Sequence, residues 1–227
     1  MWCIVYLMVR LWLEFIGLYV ALPAVLLGVR LSGCAVPVLP VLWLAAYPAA
    51  RYLVVRHGWG TRELIGFSLT RAQARHLAMR LVIAAAVLTG GILWVAPERF
   101  LDLPRRDLTL WALVMFFYPA LSVYPQGILY RGLFCARYAG LFRGERGAWL
   151  AGAAVFCLAH LVFANGWALG LTLAGGLLIS RTYRKTGSLM ASDLEHAVYG
   201  QLVFTSGWGS FFYHGTVRLM ESLAGVG

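Results

Sequence analysis

The sequence predicts an all-α fold, a polytopic transmembrane helical bundle of about seven to eight membrane helices. Three observations carry this expectation. First, 61% of the 227 residues are hydrophobic and only 12% are charged, against about 45–50% and about 25% in a soluble domain. A water-facing surface needs more charge than this, so the outer surface is expected to face lipid. Second, apolar runs approaching the ~20 residues that cross a hydrocarbon core about 30 Å thick recur along the chain. Third, there is no sustained period-2 alternation, and open sheet edges do not survive in lipid.

In order, the expected spans are 11–29, 35–55, 77–97, 108–130, 147–164, 166–182 and 188–206. A last, mixed segment at 208–225 either spans, re-enters or lies at the interface. The whole chain, 1–227, reads as a single integral-membrane domain. The N-terminal stretch contains Leu31-Ser32-Gly33-Cys34, which has the form of a lipoprotein cleavage box. Arg10 and Glu14 interrupt the apolar run before it and Arg30 adjoins it, whereas a signal h-region is a clean apolar stretch. An uncleaved first membrane helix is therefore expected. Spans five and six meet at Asn165-Gly166, a tight-turn signal. Gly166, Gly170 and Ala174 lie four apart, a small-residue stripe that predicts close approach of another helix.

The net charge of +10 comes from 18 Arg and one Lys against nine acids. In a soluble protein this would raise nucleic acid as a partner, but here the charges fall between apolar runs and no nucleic-acid motif is present. Arg51, Arg56, Arg62, Arg71, Arg75 and Arg80 flank one loop, Arg131, Arg137, Arg143 and Arg146 the next alternate one, and Arg181, Arg184 and Lys185 the last. By the positive-inside rule the N-terminus and these loops are expected in the cytoplasm. Cys3, Cys34, Cys135 and Cys157 include no C-x-x-C pair, so neither a disulfide framework nor a zinc cluster of cysteines is expected.

Ionisable groups inside apolar spans cost about 2.5–3.5 kcal/mol each to insert, so those present are functional candidates. They are Glu14, Arg131, His160, Asp193, Glu195 and His196. A lone intramembrane histidine is as often a polar tether as a catalyst. Two on different helices can converge as an acid/base pair or as metal ligands, so a divalent metal such as zinc is a candidate cofactor on His160 and His196. Arg131 follows Tyr124-Pro125-Gln126-Gly127, where Pro and Gly loosen a helix, and on its own would snorkel to the interface.

The order of these groups resembles the CAAX-protease and bacteriocin-processing (CPBP) family of intramembrane proteases. That family carries E-E-x-x-x-R, then F-x-x-x-H, then H-x-x-x-N on successive helices. Here the strings are Gln126-Gly127-x-x-x-Arg131, Phe156-x-x-x-His160 and His196-x-x-x-Gly200, within a core at about 109–214. The resemblance implies peptide hydrolysis in a membrane cavity at the C-terminal half. His160 would help activate water, His196 would contribute to an oxyanion hole, and Arg131 would be structural. The implied substrate is a peptide or membrane protein, and the implied setting, with membrane lipid around it, is a bacterial inner (plasma) membrane. Both first-motif glutamates are absent, and Gly200 stands where the family has asparagine. Gly127 is the departure expected to limit activity, because Gln126 can hold a water by hydrogen bonds but cannot take its proton. Glu14 and Glu195 are the carboxylates considered as substitutes for the missing base. The rival readings are a pseudoprotease that binds or escorts a membrane partner and a small transporter, the latter opposed by the lack of an internal repeat.

Overall fold

In the computed structural model, residues 2–212 are described, with side chains from residue 5 onward. The expected segment at 208–225 therefore lies outside the described residues beyond 212. Among the described residues there is no strand, and helices follow one another with short links. Helix α1 runs from Trp2–Ile16 through a π-helical turn, Gly17–Ala21, into Leu22–Leu31. Then come α2 (Val38–His57), the short α3 (Thr61–Ile65) and α4 (Arg71–Val95). After the short α5 (Asp102–Arg106), the long rod α6 begins at Leu108–Tyr118 and continues to Leu141 through two π-helical segments, Pro119–Val123 and Ile128–Tyr138. Helix α7 (Gly144–Leu158) tightens into a 3-10 turn at Ala159–Phe163. Helices α8 (Gly166–Thr186) and α9 (Leu189–Ser206) complete the bundle.

Local chemistry explains the boundaries. Thr70 caps α4 by accepting from the Gln73 N–H, and Asp107 accepts from Leu110 at the start of α6. At α3 the Glu63 carboxylate accepts from the Gly60 N–H at 2.9 Å, and that bond holds the carboxyl below its ordinary range. The expected turn before α8 is present. Ala164 takes a left-handed conformation, φ 53°, and Asn165 caps α8 by accepting from Ala168.

Five of these helices are long and apolar enough to cross a membrane: Val5–Leu31, Val38–His57, Arg71–Val95, Leu108–Leu141 and Gly144–Phe163. Their outer faces carry large apolar side chains, such as Trp94 at 87% exposed, Phe116 at 77% and Leu44 at 76%. The protein is an integral membrane protein. The expected spans 166–182 and 188–206 correspond to α8 and α9 but are less apolar than the other five. The reason is packing. Helix α9 lies against α4, α6 and α8, so its Ser192, Asp193, Glu195 and His196 are buried in protein rather than presented to lipid.

The principal apolar core joins Phe15 and Tyr19 of α1, Ala49 and Leu53 of α2, Leu129 and Phe134 of α6 and Val155 of α7. Tyr19 is fully buried, and its hydroxyl donates to the Leu129 carbonyl at 2.8 Å. The small-residue stripe is corrected by the structure. Gly166, Gly170 and Ala174 lie on the exposed face of α8, with open space beyond both glycines. The packing face is Ala168, Thr172, Gly176 and Ile179, and at Gly176 a side chain would press on Phe156 and the Ala153 carbonyl of α7. Four-residue spacing marked a stripe, but the true one began two residues later. Cys34, Cys135 and Cys157 are free thiols.

Candidate functional site

The motif-bearing helices α6, α7 and α9 meet at one cavity of about 650 Å³, to which Tyr19 of α1 and Thr172 of α8 also contribute. From α6 come Tyr118, Ser122, Gln126 and Tyr130, spaced four apart on one face. From the end of α7 comes His160, and from α9 come His196 and Gly200. The far walls are apolar residues of α1 and α2, among them Leu22, Leu26 and Leu39. Four of the six residues that the motif comparison nominates as a catalytic group, Gln126, His160, His196 and Gly200, thus line one space. Gly127 and Arg131 do not.

The imidazoles are held in defined ways. His160 Nδ1 lies 2.8 Å from the Phe156 carbonyl, which can only accept, so Nδ1 carries the hydrogen. Its Nε2 is then the basic nitrogen. The Phe156 ring lies between the two histidines, 4.8 Å from the His160 ring and edge-on to His196 at 5.1 Å. His196 Nε2 sits 3.3 Å from the Tyr118 hydroxyl, while its Nδ1 is buried without a hydrogen-bond partner among the described residues. Gln126 Nε2 donates to both the carbonyl and the hydroxyl of Ser122 at 3.0 Å, which orients the amide and leaves Oε1 as its acceptor.

Gly127 and Arg131 belong to a second, drier constellation behind this cavity. Arg131 is 2% exposed and its Nη2 donates to Asp193 Oδ1 at 2.7 Å, a buried ion pair between α6 and α9. Arg131 Nε and Asp193 Oδ2 have no further partner among the described residues. A Cβ added at Gly127 would lie 2.7 Å from the Asp193 Cγ. The carboxylate of Asp193 therefore fills the space that a side chain at 127 would need. The motif leads one to expect Gly127 to mark the position of a missing base; the structure sets it outside the histidine cavity, where a side chain would meet Asp193. The snorkelling alternative for Arg131 is corrected, since its guanidinium turns inward to a carboxylate. At Gly200 a Cβ would come within 2.5 Å of Tyr118 Cζ, so the tyrosine occupies the room an asparagine would take.

The proposed substitute carboxylates also lie elsewhere. Glu14 is bound by Arg10 and Arg137, with both Nε···O distances 2.9 Å, and lines a different cavity. Glu195 is fully buried, accepts from Tyr199 at 2.7 Å and pairs with Arg80 at 3.2 Å. Neither lines the histidine cavity, and among the described residues no Asp, Glu, Lys or Arg does. This donor set does not fit zinc. Among the described residues no group of three His, Cys, Asp or Glu converges, and a catalytic zinc site needs three protein ligands.

Two participants escape a motif reading. Tyr118 contacts His196, and its signal in the sequence is the Tyr118, Ser122, Gln126 spacing within an apolar run. Asp193 was visible as an intramembrane acid, but its partner lies 62 residues away.

The sequence model of the type II CAAX prenyl endopeptidase Rce1-like family matches residues 106–202. No curated protein and no solved structure matches the chain.

Proposed function

We propose that this chain, whose residues 106–202 match the sequence model of the type II CAAX prenyl endopeptidase Rce1-like family, is an intramembrane endopeptidase whose site is the cavity of Gln126, His160 and His196. The observation that carries the reading is the fixed tautomer of His160, which leaves Nε2 as the basic nitrogen of a side chain lining that cavity. Gln126 Oε1 accepts a hydrogen bond from the attacking water, and His160 Nε2 takes the proton as the water's oxygen bonds to the peptide carbonyl carbon. With the His196 Nε2–H donating to the Tyr118 hydroxyl, the Tyr118 O–H on the cavity wall donates to the oxyanion that forms. His160 then returns its proton to the leaving amine as the C–N bond breaks. Arg131 and Asp193 hold α6 against α9 and do not touch substrate. The apolar walls suit a substrate with a hydrophobic segment, a peptide or a membrane protein entering from the lipid.

A second reading, the pseudoprotease, is favoured by a cavity wall that, among the described residues, holds no carboxylate. Cleavage of a mixed peptide pool by the purified chain, beside His160→Ala, separates the two. The endopeptidase reading expects products from the parent chain that fall at least about 10²-fold in the variant. No products from folded parent chain would leave a binding protein.

We propose a bacterial inner membrane from the family resemblance, and the N-terminus and arginine-rich loops in the cytoplasm from the arginine distribution. A cysteine introduced by Arg62→Cys should react with an impermeant thiol reagent only after cells are opened. Reaction in intact cells, with the outer membrane made permeable, would reverse the orientation.

A further inference from the structure

A second cavity, of about 740 Å³, opens between α1, α2 and the end of α6 and has no part in the chemistry above. Its polar groups are Arg10, Arg56, Arg137, Glu14, Tyr52 and Tyr138, and its other walls are apolar, including Leu7, Leu18 and Leu133. Three guanidinium groups face one carboxylate, so a net positive charge remains.

The arginines are not equivalent. Arg137 is committed to the frame, with Nε on Glu14 at 2.9 Å and Nη1 donating to the Tyr52 hydroxyl at 2.6 Å. Arg10 gives only its Nε to Glu14. Its two Nη groups, and the whole guanidinium of exposed Arg56, have no partner among the described residues. Glu14 thus splays two arginines into a fixed arrangement, and the donors of Arg10 and Arg56 remain at the rim.

Depth selects the occupant. Arg56 is in the last turn of α2 and Arg137 in the last turn of the π-helical segment of α6. The apolar stretch Val5–Leu31 has 27 residues, about 40 Å of helix at ~1.5 Å per residue against a core about 30 Å thick. The excess of ~10 Å lets the first turns of this helix, where Arg10 lies, stand at the headgroup level of the same end. A basic rim at headgroup depth above apolar walls fits a molecule with an anionic head and acyl chains.

We propose that this cavity is a binding site for an anionic phospholipid, with the phosphate on Arg10 and Arg56 and an acyl chain against Leu18 and Leu133, bridging α1, α2 and α6. It stands independently of the endopeptidase reading. A ligand that binds only the folded chain raises its unfolding midpoint, so lipid-dependent stabilisation gives a readout that needs no activity.

The test uses the full chain in detergent, with phosphatidylglycerol, phosphatidylcholine or inorganic phosphate added. Unfolding midpoints and native mass spectra of retained lipid are read for the parent chain, Arg10→Gln, Arg56→Gln and, as control, Arg62→Gln on exposed α3 outside the cavity. Selective retention of phosphatidylglycerol is expected, weakened about fivefold by Arg10→Gln and by Arg56→Gln and unchanged by Arg62→Gln. Equal retention of both lipids, or equal weakening by all three variants, would overturn the site. Stabilisation by inorganic phosphate as strong as by phosphatidylglycerol would also overturn it, reducing it to an anion site. Arg56 is exposed at a helix end, so its variant folds and the outcome stays readable.

Discussion

Gln126→Glu is expected to raise peptide hydrolysis by about 10²-fold, the low end of what a positioned general base contributes, because the carboxylate would share with His160 the proton of the attacking water. Position 126 lies on the histidine cavity, and glutamine and glutamate have the same shape, so a carboxylate oxygen would arrive where Oε1 now accepts. The cost falls on Ser122. Its carbonyl loses the amide donor, and its hydroxyl rotates to donate to the new carboxylate. Losing one neutral hydrogen bond costs roughly 1 kcal/mol, small against the expected rate gain. The rate of the variant should also fall as pH drops through the carboxyl titration, because only the ionised form accepts a proton. Turnover of Gln126→Glu no faster than the parent chain, measured on a peptide that the parent cleaves, would remove Gln126 from the water-activating role.

Gly127→Glu should give no such gain and should instead destabilise the fold. Its carboxylate would be driven into Asp193, and overpacking alone costs about 1–3 kcal/mol before like-charge repulsion is added. Asp193→Ala alone should cost about 3–5 kcal/mol, because it strands the buried Arg131 charge. The two changes together are expected to recover most of that loss. Glu at 127 lies four residues before Arg131, a spacing that lets the pair form along one helix, and removing Asp193 clears the space. Denaturant unfolding in detergent of both single variants and the double variant forms the cycle. Additive losses would show that the two positions do not share one carboxylate site.

How much of this was legible depends on the range of the interaction. The residue types and four-residue spacing on α7 and α9 pointed to His160 and His196 without any knowledge of packing. The same spacing on α6 held Tyr118, Ser122 and Gln126 in plain view, and only the absence of a charged member hid the face. The roles of neighbours one residue apart were not legible. Gln126 and Gly127 are adjacent in the chain and face different constellations, one a cavity and the other a buried ion pair. The stripe on α8 was misplaced for the same reason, since small residues recur at several registers and only the partner helix selects one.

By itself the sequence determined that this is a helical membrane protein, where its helices run and which few polar side chains must be shielded from lipid, because hydropathy and insertion cost are properties of single residues and short runs. Only the tertiary structure decided which of those polar groups meet. The pairing of Arg131 with Asp193, of Glu195 with Arg80 and of Glu14 with Arg137 spans 62 to 123 residues of chain, and the occupancy of the space beside Gly127 follows from α9 lying against α6. Burial, reach and collision are properties of helices in contact, and they come into being when the bundle packs.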